Sequence, residues 1–180
     1  LKTLRPRFKA LKAHIVEIGP LFPKEMADVI IKATDPNVCD VLYRLLPSMM
    51  TKERVADFIP ALRCANMDMR QLMLDILAAS GPNPEEMKEI RRAVMEWYGG
   101  KDAMGRAWAV RNCRILEEPE RHKILFETLK RGTRWEQIEA VIEIGRCPDS
   151  ELIEALNALS KETSDPDVQF HLARTLAGAK

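Results

Sequence analysis

Histidine is scarce in this chain, aromatic residues are few and long apolar runs are missing, and each shortage removes a class of explanation. Its three histidines, His14, His122 and His171, fall on different predicted helices. No two share i, i+3 or i+4 spacing and none is followed by glutamate, so no helix face offers a ready pair of metal-ligating imidazoles. The four cysteines, Cys39, Cys64, Cys113 and Cys147, are widely spread without a C-x-x-C pair. They read as reduced, mostly buried thiols of a cytoplasmic protein rather than zinc ligands or a disulfide framework. No glycine-rich phosphate loop and no G-x-S-x-G elbow occurs, which leaves nucleotide cradling and elbow-type acyl transfer without a basis. No apolar run approaches the roughly 20 residues that span a bilayer, so no membrane partner is expected. A formal charge of +1 supplies no global field toward nucleic acid or acidic lipid.

What is present is helix-forming material. Hydrophobic residues make up 46% and charged residues 31%, a globular balance. Leu, Ala, Met, Glu, Arg and Lys are plentiful, and their unbranched side chains lose little rotamer freedom in helices. Apolar spacing predicts helices over 4–18, 24–33, 36–47, 51–64, 67–79, 84–98, 102–116, 119–131, 134–145, 149–161 and 166–178, with no alternating stretch that argues for a strand. Asp35, Thr51, Asn83, Thr133, Asp149 and Asp165 stand where N-caps are needed. Every second helix places an apolar residue shortly after its start: Val38, Met69, Met104, Trp135 and Val168. The recurrence every thirty-odd residues predicts stacked helical hairpins, because one hairpin cannot bury its own apolar face. Leu72 and Ile138 read as core positions between them.

Three stretches resemble HEAT repeats. The first is Phe58-Ile59-Pro60-Ala61-Leu62, then Asn66-Met67-Asp68-Met69-Arg70 and Leu72 to Leu77. The second is Asp165-Pro166-Asp167-Val168 with Leu172-Ala173 and Leu176-Ala177-Gly178. The third, Ile144-Gly145-Arg146-Cys147-Pro148-Asp149, is similar to a break between repeats in bacterial HEAT-like proteins. The resemblance implies an all-α fold, a right-handed α-α superhelix of about eleven helices. Residues 1–19 would form a leading helix and 20–180 five hairpins, all in one domain, and the start at Leu1 reads as a fragment of a longer protein. The resemblance departs at Cys39 and Gln169, where a basic residue often follows the valine, so polar ladders between repeats are not expected from it.

Function follows less directly. One enzyme family on this fold, the deoxyhypusine hydroxylases, uses paired His-Glu motifs for iron, and none is present; no catalytic residue, metal or cofactor is assigned. The alkylpurine DNA glycosylases, also HEAT-like, hold DNA in a basic, aromatic-lined groove. Their nearest counterpart is 91–134, which carries Arg91, Arg92, Arg106, Arg111, Arg114, Arg121 and Arg134 with Trp97, Trp108 and the adjoining Trp135. Trp97 and Trp135, however, lie on apolar stripes and read as core. Glu136, Glu139 and Glu143 recur at i, i+3, i+7 and form one acidic stripe. The resemblance puts second helices on the concave face, so Arg106, Trp108, Arg111, Glu136, Glu139 and Glu143 become candidate partner-binding residues in a groove of mixed sign. The leading expectation is a non-catalytic scaffold or regulatory domain that binds a protein segment or neighbouring domain. The alternative is a nucleic-acid-binding protein resembling the glycosylases.

Overall fold

The computed structural model describes residues 22–178, together with Ala13 and Glu17. The helix expected over 4–18 otherwise lies outside the described residues, as does His14. Every element among the described residues is helical. The α-helices are α1 (Pro23–Lys32), α2 (Pro36–Met49), α3 (Val55–Phe58), α4 (Met67–Ala79), α5 (Pro84–Tyr98), α6 (Ala103–Arg111), α7 (Glu118–Arg131), α8 (Arg134–Arg146), α9 (Ser150–Glu162) and α10 (Pro166–Gly178). The chain divides into two compact units, Leu1–Ala93 and Val94–Lys180, with the boundary inside α5.

Helix starts are set by local chemistry. Asp35 accepts from the Asn37 amide at 2.7 Å and Asp149 from that of Glu151 at 2.9 Å. Asp102 and Asp165 do the same for α6 and α10. Each satisfies backbone N–H groups that a first turn leaves without partners, a gain of about 1 kcal/mol per cap. Proline opens α1, α2, α5 and α10, where its missing N–H costs nothing and its fixed φ suits the helix.

The single helix expected over 51–64 is instead a chain of three short pieces. A 3-10 turn at Lys52–Arg54 leads into α3, and a second follows at Ile59–Arg63. Pro60 explains the break: it cannot donate to the carbonyl four residues earlier, and its ring crowds that carbonyl, so the backbone tightens. The helix expected over 102–116 likewise ends early. The Asn112 side chain donates to the Trp108 carbonyl at 2.8 Å, and a 3-10 turn, Cys113–Ile115, follows.

In the first unit, α1 packs on α3 and the 3-10 turn after it, while α2 packs on α4. In the second unit, α6, α8 and α10 lie side by side, α7 packs on α9, and each of α7 and α9 also packs on the helix that follows it. The second unit thus has two layers of helices, with Val110, Ile124, Val141, Ile144, Leu156 and Leu172 buried. A Cβ on Gly105 would sit 2.6 Å from the Trp97 ring and 3.0 Å from the capping carboxylate of Asp102, so only glycine lets α6 approach that ring.

One polar device recurs through both units. The fourth residue of each second helix reaches back to a carbonyl in or before the turn it has just left. Cys39 Sγ donates to Ala33 O at 3.7 Å, Arg70 Nε to Cys64 O at 3.0 Å and an Arg106 guanidinium N–H to Gly100 O at 3.0 Å. Gln137 donates to Leu129 O at 3.0 Å and Gln169 to Thr163 O at 2.8 Å. Carbonyls at a helix end have no intrahelical donor, and here a side chain from the next helix supplies one. Cys39 and Gln169 fill this position with neutral donors.

The apolar anchors divide. Met69 and Val168 are buried, whereas Val38, Met104 and Trp135 are exposed. Met104 and Trp135 stand second in their helices rather than third, and one position rotates a side chain by about 100°. Trp135, read from sequence as core, is 54% exposed. Val38 stands third in α2 and is exposed all the same.

Two stability measurements test this packing. Arg70→Met keeps the apolar stem and removes the donors, and should cost about 1–3 kcal/mol by leaving buried carbonyls unpaired; Gln169→Met, at an exposed site, should cost under about 0.5 kcal/mol. Ile138 is 5% exposed, and Ile138→Ala should lower the urea-derived unfolding free energy by about 2–5 kcal/mol. Leu72 is half-buried on a groove, so Leu72→Ala should cost clearly less.

Candidate functional site

Five of the six sequence-selected residues, Arg106, Arg111, Glu136, Glu139 and Glu143, line the contact of α6 and the turn after it with α8. Arg106 bonds Glu136, Arg111 Nε stands 3.4 Å from Glu139 Oε2, and Arg114 Nε stands 2.9 Å from Glu143 Oε2. Residue numbers rise together on both sides of these three rungs, so α6 and α8 run parallel. Arg146 closes on Glu143 from the end of α8 itself. The next pair of helices is tied at its start by Arg134, which bonds Asp167 and lies 3.7 Å from Asp165.

The burial of these groups corrects the expectation of an exposed acidic stripe. Glu143 is 1% exposed, Glu136 is buried and Glu139 is half-buried. Trp108 is 2% exposed and belongs to the core rather than to a groove. The i, i+3, i+7 spacing does define one side of α8, but that side faces a helix rather than water. A buried carboxylate needs a cation and hydrogen bonds to offset its desolvation, and the arginines from twenty-eight to thirty residues upstream supply them. Arg114 and Arg146 complete the set, and sequence spacing alone did not single them out as partners of the glutamates.

Glu136 is the hub of the ladder. One carboxylate oxygen receives Arg106, and the other accepts from the Thr133 amide at 2.6 Å, forming a capping box at the start of α8. Arg106 in turn donates to the carbonyls of Gly100 and Lys101, at 3.0 Å and 2.9 Å. Burial pushes the Glu136 carboxyl up, but the bonds from Thr133 and Arg106 outweigh it and hold the group below its ordinary range. Glu139 behaves oppositely: burial dominates, Arg111 only partly offsets it, and the carboxyl titrates above its ordinary range. Burial, reinforced by the Glu143 charge, pushes the Cys113 thiol up to about 12. A thiol that stays protonated is a poor nucleophile and a poor metal ligand.

The side of α8 turned away from α7 carries a different set. Gln137 donates to the Leu129 carbonyl of α7, and the opposite side presents Trp135, Glu139, Ile142 and Arg146 at i, i+4, i+7 and i+11. Trp135 and Arg146 are exposed there, and Met104 on α6 stands two residues before the first rung. Arg134 lies over the Trp135 ring, 5.1 Å from its centroid. In the first unit, α2 and α4 border an open groove of about 540 Å³, lined by Cys39, Asp40, Tyr43, Asp68, Gln71 and Asp75 among others. Arg44 pairs with Asp40 at 3.1 Å.

Among the described residues no three His, Cys, Asp or Glu side chains converge as metal ligands. His122 stacks on Phe126 and lies 3.6 Å from Asp149 and 3.5 Å from Glu151, as a tie between α7 and α9. No helix among them is long and apolar enough to cross a membrane. Comparison with protein-family models, curated proteins and solved structures finds no match.

The opposite shifts of two neighbouring glutamates give a pH test. Glu136 has a depressed folded-state value, so its stabilisation is present above the unfolded value and lost as pH falls through the folded one, below its ordinary 4.5. Glu136→Gln keeps the reach to Thr133 and removes the charge, so it should cost about 1–3 kcal/mol at pH 7. Variant and parent should converge as pH falls through the lowered folded-state value of Glu136. Glu139 has a raised value, so its contribution is full below the unfolded value and is lost as pH rises through the folded one. Glu139→Gln should therefore leave stability at pH 7 unchanged or higher. Urea midpoints at both pH values decide this, and an equal loss in the two variants would show that burial does not govern Glu139.

Proposed function

We propose that the protein is a non-catalytic scaffold or regulatory domain built as a short HEAT-like α-solenoid, and that it binds a protein segment on the layer of second helices. The observation that carries this reading is the exposed Trp135, together with Met104, on the open face of helices locked by the arginine–glutamate ladder. A large aromatic side chain that stays in water on a rigid surface, beside arginine, has the composition of an interface anchor. The recurring reach-back donors at Cys39, Arg70, Arg106, Gln137 and Gln169 support the repeat reading, since stacked hairpins reuse one solution at each turn. In such a stack the second helices line the concave side, which would turn Trp135 into a groove. The partner is a protein segment or a neighbouring domain, and the setting is cytoplasmic.

Nucleic-acid binding, after the manner of the alkylpurine DNA glycosylases, draws on the same half-exposed arginines. One feature weighs against it: of Trp97, Trp108 and Trp135 only the last is exposed. A base-stacking groove needs several aromatic faces along a basic track.

Affinity capture from a native extract with the parent chain and with Trp135→Ala separates the readings. A protein that survives nuclease treatment should be retained by the parent and reduced about tenfold or more by the variant, with helicity unchanged. Capture that disappears with nuclease, and heparin retention that falls steeply with salt, would support the nucleic-acid reading instead.

A further inference from the structure

The sign of the open face in the second unit is not the sign its sequence displays. The stretch 135–180 carries nine acidic and four basic residues, yet the acids nearest the open face are turned inward. Glu143 is almost fully covered, and the Glu139 side chain is four-fifths covered. The guanidiniums that cover them stay in water: Arg111 and Arg114 are each 54% exposed and Arg146 48%. Arg174, also exposed, precedes Thr175, whose hydroxyl donates to the Val141 carbonyl at 3.4 Å, so Arg174 stands beside the second half of α8. An approaching molecule therefore meets four arginines before it meets any carboxylate at this end. At the other end of α8 the exposed groups are Trp135 and the Arg134–Asp167 pair.

We propose that this face binds an acidic protein segment that carries one apolar side chain, with its carboxylates on Arg111, Arg114, Arg146 and Arg174 and its apolar group on Trp135. The inference rests on the scaffold reading and adds the partner's chemistry and direction. Charge complementarity selects the acid, because a basic segment would meet four guanidiniums over only two carboxylates, Glu139 and Glu143, both largely covered. The aromatic anchor selects the direction, since Trp135 and Arg146 are eleven residues apart on one helix side, about 16 Å. About five residues of extended chain bridge that distance. Three of the arginines, Arg111, Arg114 and Arg146, are pre-positioned by Glu139 and Glu143 before the partner arrives, which lowers the ordering cost of binding.

The test uses the full chain and fluorescein-labelled synthetic peptides followed by anisotropy. One peptide carries a leucine and, about five residues on, a run of glutamates; a second has lysines for the glutamates, and a third has alanine for the leucine. A single-stranded oligonucleotide of matching charge is the fourth probe. The acidic leucine peptide should bind most tightly and weaken with salt. Arg111→Gln combined with Arg174→Gln, and separately Trp135→Ala, should each weaken it about tenfold with an unchanged circular-dichroism spectrum. Its binding should also shift tryptophan emission to the blue, and Trp135→Phe should abolish that shift. Tighter binding of the lysine peptide would overturn the inference and leave the scaffold reading standing. Equal binding of the leucine-free peptide and the oligonucleotide would mark a polyanion site and overturn both. No binding of the acidic peptide at millimolar concentration, by a chain shown to be folded, would overturn the inference alone.

Discussion

Every turn into a second helix leaves carbonyls that no backbone amide can reach, and the described structure depends on how those groups are satisfied. The fourth residue of the following helix does it each time, whether the donor is a thiol, a guanidinium or an amide. The device ties the first turn of each second helix to the segment just before it. Where the donor is arginine it does more. Arg70 is buried and reaches two carbonyls of its turn, and Arg106 reaches two carbonyls and then continues to Glu136. A bond within one hairpin thereby becomes a bond between hairpins.

From that point the ladder in the second unit follows. Glu136 ties the start of α8 to α6 while capping its own helix, and Glu143 ties the far end through Arg114 and Arg146. Glu139, between them, is the loosest rung, at 3.4 Å, and the one whose carboxyl burial pushes up. Breaking one partner of a buried pair leaves a charge without compensation, which costs more than the pair contributes. The ladder therefore restricts the register of α6 against α8 as well as holding them together. Trp135, at the start of α8 beside Glu136, is exposed on a helix whose register against α6 is set in this way.

The pairing also reverses an electrostatic reading. Read along the chain, Glu136, Glu139 and Glu143 make an acidic surface; packed, they make the floor beneath a basic one. Long guanidinium side chains can cover a carboxylate and still keep their outer edge in water. The surface then shows the sign of the longer residue. In the first unit the groove between α2 and α4 keeps Asp40, Asp68 and Asp75 exposed.

Helix positions and starts were legible from apolar spacing, caps and prolines, because these are local effects. Asp35, Asn83, Asp149 and Asp165 cap where they stand in the chain, and α4, α5, α7, α8 and α10 run within a residue or two of the spans read from spacing. The break at Pro60 is local as well, yet a proline inside a periodic stretch is read correctly only once the two tight turns around it are seen. What sequence could not decide is which side of a helix meets water. Trp135 sits one position from a buried anchor and is exposed, while Trp108 sits on a comparable stripe and is buried. Glu143, an acidic residue, is more deeply covered than Ile138. Periodicity assigns residues to faces, but burial depends on which helix, and which side chains some thirty residues away, come to lie against each face. That arrangement belongs to the tertiary structure alone.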